Sequence, residues 1–291
     1  MRSTIVSEFT KQHNFTIEKW LNDDKQGVEW LYETKLSLDE AYRAHAKLLF
    51  EAKEPTWAAF GTMCDRIFEH QSAAFVAFFT NNWPSMEIIA RAVIEASVTV
   101  IFVAKENTTR RLGAYLAHYF YRSRQLLDLV KQSLETEQAR KHIEFREKFM
   151  RQFANEAGIP FDRTGWPARI IDRFKAIESE ATYRTLYAVL SGQAHNDAES
   201  LVDYIITKCL STENPNADVI AGTELLYWAR YYLYSGLEYY SIAAQSVAST
   251  FNWEDARREI YNVQLRVRKH LRLLSEEFRS FQAKAFTDWN R

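Results

Sequence analysis

Turn-forming residues are scarce in this chain: eight glycines and five prolines serve 291 residues. A sheet protein of this length needs many hairpins, and their tight turns depend on those residues, so the shortage points to long helices. Cysteine is nearly absent. Cys64 and Cys209 sit in apolar helical surroundings without metal-ligand spacing, and read as two buried thiols of a cytoplasmic protein rather than a disulfide framework. Charge of one sign is lacking too, since 37 Lys and Arg against 38 Asp and Glu leave a formal charge of −1. That excludes a global pull toward nucleic acid or an acidic membrane, so any basic site must be local. The opening "MRSTIVSEFTKQHNF" has no apolar run of the signal-peptide kind. The longest apolar stretch, residues 86–104, contains Glu87, Arg91 and Glu95, each costly in lipid, and reads as a buried helix. No phosphate-binding glycine loop, His-Glu-x-x-His, EF-hand or zinc spacing occurs, so neither cofactor nor metal is expected.

What is present is 47% hydrophobic and 26% charged residues, ordinary for a globular chain. Residues 1–25 read as a polar arm or short helix, and 26–291 as one all-α bundle of about nine or ten helices. The functional core is expected over 60–210, and long C-terminal helices over 219–290. Apolar residues recur at helical spacing from Val28 to Ala52 and again from Pro55 to Phe79. Pro84 and Ser85 open a third helix, with Ser85 as its cap and Glu87 in its first turn. A helical run from Thr108 continues toward Gly158, which suits a helix C-terminus. Residues 159–167 and 211–218 read as loops, and Asn252 as the cap of the last helix.

One stretch resists this uniform reading: "YRTLYAVLSGQAHNDAESL", residues 183–201. On a helix Tyr187, Ser191 and His195 step by four and drift only ~40° each time, giving a stripe about 12 Å long. Gly192 weakens that helix, and Asn196-x-x-Glu199 resembles a capping box opening the next one. His195 then sits at a helix N-terminus, where the dipole favours a neutral imidazole while Asp197 and Glu199 favour the charged form. A neutral ring is a general base; a charged one steadies a phosphate. An ordinary helix-to-helix junction explains the same residues. Glu87, Arg91 and Glu95 also step by four on an otherwise apolar helix. They read either as a wet ladder or, facing a cleft, as an anion contact (Arg91) with its orienting carboxylate (Glu95).

The pairing of "ARAVIEASV", holding Arg91 and Glu95, with "YAVLSGQAHND" about 90 residues later resembles an uncharacterised helical family of bacteria. Its members carry an Arg-x-x-x-Glu helix and a later Tyr-x-x-Leu-Ser-x-x-x-His segment, and the resemblance spans residues 60–210. The pattern is also similar to HEPN domains, helical bundles of toxin–antitoxin and antiviral systems, many of which cleave RNA without metal through Arg-x(4–6)-His. That resemblance implies His195 as general acid/base, Arg91 as phosphate-stabilising cation, and Ser191, Tyr187 and Glu95 as positioning groups. The chain departs from the HEPN motif. Its nearest upstream arginine, Arg184, precedes His195 by eleven residues, about 16 Å along a helix.

Three further features suit binding rather than catalysis. Ile260, Val263, Val267, Leu271, Leu274, Phe278 and Phe281 form a seam that needs a partner helix, from this chain or a second copy. "ELLYWARYYLYSGLEYYSIAA" concentrates aromatics at core or interface spacing, and "RRLGAYLAHYFYRSR" carries a local basic stripe. The residues therefore leave two functions open. One is an interaction or assembly component of a bacterial defence or stress-response system, acting as a homo-oligomer or with a partner protein through the C-terminal helices. The other is a HEPN-like, metal-independent ribonuclease with RNA as ligand. Neither involves a membrane.

Overall fold

The computed structural model describes residues 2–52, 56–106, 108–130, 135–190 and 217–289. α1 (Arg2–His13) and a 3-10 turn (Lys19–Asp24) lead into α2 (Lys25–Glu51), α3 (Thr56–Phe79) and α4 (Trp83–Lys105). α5 (Thr108–Leu129) and α6 (Thr136–Glu156) follow, then the short α7 (Ile170–Ala176) and α8 (Glu180–Thr182) with a π turn (Tyr183–Tyr187). Two long helices, α9 (Ala217–Thr250) and α10 (Glu254–Trp289), finish the chain. The all-α bundle expected from the shortage of turn residues is what forms, with ten α-helices and no strand among the described residues.

The axis of the bundle is α9, which packs along α4, α10, α3 and α2. Its Leu233, Tyr234, Leu237, Tyr240, Ala243, Ala244 and Val247 are fully buried. A helix apolar nearly all round must be enclosed, and here the alanines let neighbours approach while the tyrosines fill the remaining space. Gly236 admits Gln71 of α3, whose Nε2 donates to the Leu233 carbonyl at 3.0 Å; a Cβ at Gly236 would stand 2.6 Å from Gln71 Oε1. The apolar seam of α10 is also covered within this chain. Ile260, Val263, Val267, Leu271, Leu274 and Phe278 are buried, and α10 packs on α9 and α2. Phe278 stacks on Tyr227 with centroids 3.8 Å apart. The partner helix that the seam requires is therefore α9. The segment read as an arm or short helix forms α1 and the 3-10 turn, and it buries Phe9, Leu21 and Asp24.

Scarce glycine is offset by asparagine at helix ends. Five described helix ends close with a residue at positive φ: Asn14, Asn81, Gly158, Glu178 and Asn252. At Gly158, the Ile159 N–H donates to Ala154 O at 2.7 Å and the Gly158 N–H to Asn155 O at 3.2 Å, the paired bonds of a Schellman cap. Asn252 closes α9 by the same pattern, through Trp253 N–H to Ala248 O at 2.8 Å and Asn252 N–H to Ser249 O at 3.2 Å. Two expected caps are thereby corrected. Asn252 ends one helix instead of opening the next, because its amide tolerates the left-handed conformation. Ser85 lies inside α4, whose cap position is Asn82 and whose Pro84 occupies the first turn, so Glu87 falls beyond that turn. The run expected from Thr108 to Gly158 is also broken: it folds back as an α5–α6 hairpin, pinned by Thr136 Oγ1 donating to Val130 O at 2.8 Å.

Candidate functional site

Four-residue steps on α4 place Glu87, Arg91, Glu95 and Thr99 along one stripe. α7 is held against the α4 end of that stripe by Phe174, fully buried, which leaves the neighbouring Arg173 beside Thr99 and Glu95. After the left-handed turn at Glu178 the chain re-enters helix and widens into the π turn, where the Ala188 N–H donates to the Tyr183 carbonyl. π turns insert one extra residue and rotate the downstream side chains by about 100°. In that setting Tyr187 is 3% exposed, with its ring centroid 5.5 Å from those of Tyr183 and Phe174.

The polar ends converge. Tyr187 Oη donates to Glu95 Oε2 at 2.6 Å and accepts from Arg91 Nη2 at 3.2 Å. The Arg91 guanidinium lies 5.1 Å from the Tyr187 ring centroid. Arg173 Nη1 donates to Thr99 Oγ1 at 2.5 Å, while Nη2 stands 3.8 Å from Glu95 Oε1. Its guanidinium also lies 5.4 Å from the Trp166 ring. One carboxylate thus sits between two arginines and a phenol. The Nε atoms of Arg91 and Arg173 are both buried without a hydrogen-bond partner among the described residues.

Burial sets the protonation pattern. Desolvation raises the Tyr187 phenol to about 12, and its bond to Glu95 adds to the rise, so it remains a donor. Desolvation also lifts the Glu87 carboxyl to about 7. Arg173 is pulled down by burial and held back by Glu95. Two arginines against the Glu95 carboxylate, plus the Glu87 carboxyl part-protonated near neutrality, leave the corner net positive. The field extends outward: burial lowers His118, and Arg122, Arg173 and Arg163 lower it further. This arrangement is suited to an anion with several acceptor oxygens.

Of the residues singled out from the sequence, Arg91, Glu95 and Tyr187 meet at one point. Ser191 and His195 lie outside the described residues, as does Cys209; Cys64 is a buried thiol. Arg184 pairs with Glu180 at 2.7 Å on the solvent side. Arg173, Thr99 and Trp166 were not anticipated. In "ARIIDRFKAIESE" Arg173 is one of several charges flanking a short helix, and only the packing of Phe174 reveals which charge turns inward. Two grooves, of about 600 Å³ between α9 and α10 and about 320 Å³ between α2 and α10, lie apart from this corner. Among the described residues no three His, Cys, Asp or Glu converge as metal ligands, and no helix is long and apolar enough to cross a membrane.

Residues 58–214, more than half of the 291, match a family described as a family of unknown function (DUF5677). The match takes in α3 through the π turn and therefore every residue of the corner. No curated protein and no solved structure matches the chain.

Proposed function

The chain belongs to the DUF5677 family, and from the corner that the family match encloses we propose a cytoplasmic, phosphate-handling protein that cleaves RNA without metal. The observation that carries the reading is the pair of half-buried arginines, Arg91 and Arg173, converging on Glu95 and Tyr187, each with a buried Nε that has no hydrogen-bond partner among the described residues. Tyr187 also opens the Tyr-x-x-x-Ser-x-x-x-His segment, so Ser191 and His195 follow it by four and eight residues. In the reaction a ribose 2′-oxygen attacks the adjacent phosphorus and the bond to the 5′-oxygen breaks. The products are a 2′,3′-cyclic phosphate and a 5′-hydroxyl. His195 takes up or delivers the proton, and the arginines balance charge gathering on the non-bridging oxygens. The test is labelled RNA incubated with the protein in chelator. Cleavage that falls about 100-fold or more in His195→Ala and Arg91→Ala supports the reading; cleavage that survives His195→Ala removes it.

A second reading is an assembly component of a bacterial defence or stress-response system. It is supported by a different observation: Phe145, Phe149 and Phe153 form an exposed apolar row on α6.

A further inference from the structure

The α5–α6 hairpin carries apolar surface that the bundle does not use. Glu147, bound by Arg124 of α5 at 2.8 Å, and the buried Ala154 mark the inner face of α6. Phe145 and Phe149 lie about 160° round the helix from Glu147, and Phe153 about 120°. They are 70%, 62% and 40% exposed. Single exposed apolar residues are ordinary, but three phenylalanines in helical register are a contiguous patch of the kind that marks an interaction site. Taking ~200 Å² per ring, the row leaves about 350 Å² of aromatic surface in water.

We propose that this row is the contact between two copies of the chain, packed as an antiparallel α6–α6 pair about a two-fold axis at Phe149. The register follows from charge. In that arrangement Phe149 meets its own copy and Phe145 meets Phe153 of the second copy. His142 and Arg146 face Glu156 and Gln152 of the second copy, so basic positions meet an acid and an amide rather than one another. In the parallel arrangement each of them would face itself. Among the described residues of one copy Glu156 Oε1 is engaged only by Gln152 Nε2, at 3.0 Å, which leaves an acceptor for the second copy. A 21-residue helix is about 30 Å long. With the stems of its flanking side chains such a pair buries about 600 Å² per copy, within the lower range of specific interfaces. α10 is not the contact, because its seam is filled by α9. The inference deepens the assembly reading and is independent of RNA cleavage.

Sedimentation and light scattering of the full chain test it. The expected mass at about 10 μM is twice 34.1 kDa. Phe149→Glu should be monomeric with an unchanged circular dichroism spectrum, its dissociation constant raised about 100-fold or more, since two like charges then meet at the axis. Glu156→Lys should weaken the pair about tenfold, and His142→Glu combined with Glu156→Lys should restore it. A chain monomeric at about 100 μM overturns the proposal. So does a dimer indifferent to Phe149→Glu, a failed charge-swap rescue, or a monomer that floats with anionic vesicles through the same row. A monomer that still cleaves RNA ends this inference alone; a dimer inert toward RNA ends the ribonuclease reading alone.

Discussion

Replacing Tyr187 by phenylalanine and Glu95 by glutamine, singly and together, measures the bond on which the candidate site is built. Tyr187→Phe keeps the ring in place against Tyr183 and Phe174 and removes only the hydroxyl that links Glu95 at 2.6 Å to Arg91 at 3.2 Å. A hydrogen bond to a charged group contributes about 1.5–3 kcal/mol when both partners are dry. Glu95 has 40% of its side chain in water, which can replace part of the lost bond, so about 1–1.5 kcal/mol is expected for Tyr187→Phe. Urea unfolding followed by tryptophan fluorescence reads this directly. The coupling between the two substitutions should be about 1 kcal/mol, because Tyr187→Phe removes the donor of the bond and Glu95→Gln replaces its charged acceptor by a neutral one. A coupling under about 0.3 kcal/mol would mean that phenol and carboxylate act independently, and the account of the corner would fail. Alkaline pH gives a second reading of the same group. The folded-state phenol titrates near 12, above its ordinary value of 10.0, so its share of stability is intact below pH 10 and declines as pH rises through 12. The Tyr187→Phe protein should lose less stability over that window than the parent.

Glu87, raised to about 7 by burial, has the same sign. Its penalty on folding is absent below its ordinary value of 4.5, grows as pH rises through about 7 and then levels off, so Glu87→Gln should stabilise the chain at pH 8 and not at pH 4. The gain is about 1–2 kcal/mol, discounted for residual solvent contact, and thermal melts at the two pH values measure it. The buried pair of Asp24, 1% exposed, with Arg230 at 2.8 Å links the N-terminal segment to α9. Arg230→Met should cost about 3–5 kcal/mol by stranding the carboxylate, and adding Asp24→Asn should recover a large part; equal losses in the single and double variants would show that the pair does not matter.

Helical class and the α4 stripe were legible because each depends on spacing within one segment. Arg91 and Glu95 announce themselves as charges repeating every four residues on an apolar helix, and Tyr187 as the first member of a similar series. Arg173 carries no such mark: its inward turn is set by its neighbour Phe174 packing on the bundle. The same limit explains the caps. Asn252 looks like an N-cap in sequence, since asparagine serves both ends of a helix, and only the chain reversal decides which end it closes.

The sequence by itself determined that the chain is helical, where most helices run and which of their faces are apolar, because periodicity and turn residues act locally along the chain. Tertiary structure alone decided which apolar face meets which. It packed the α10 seam on α9, left the α6 phenylalanines in water, and brought Arg173 across about 80 residues to Glu95. The physical reason is that burial favours any complementary apolar surface without naming it, so the choice among faces rests on the packing of the whole bundle.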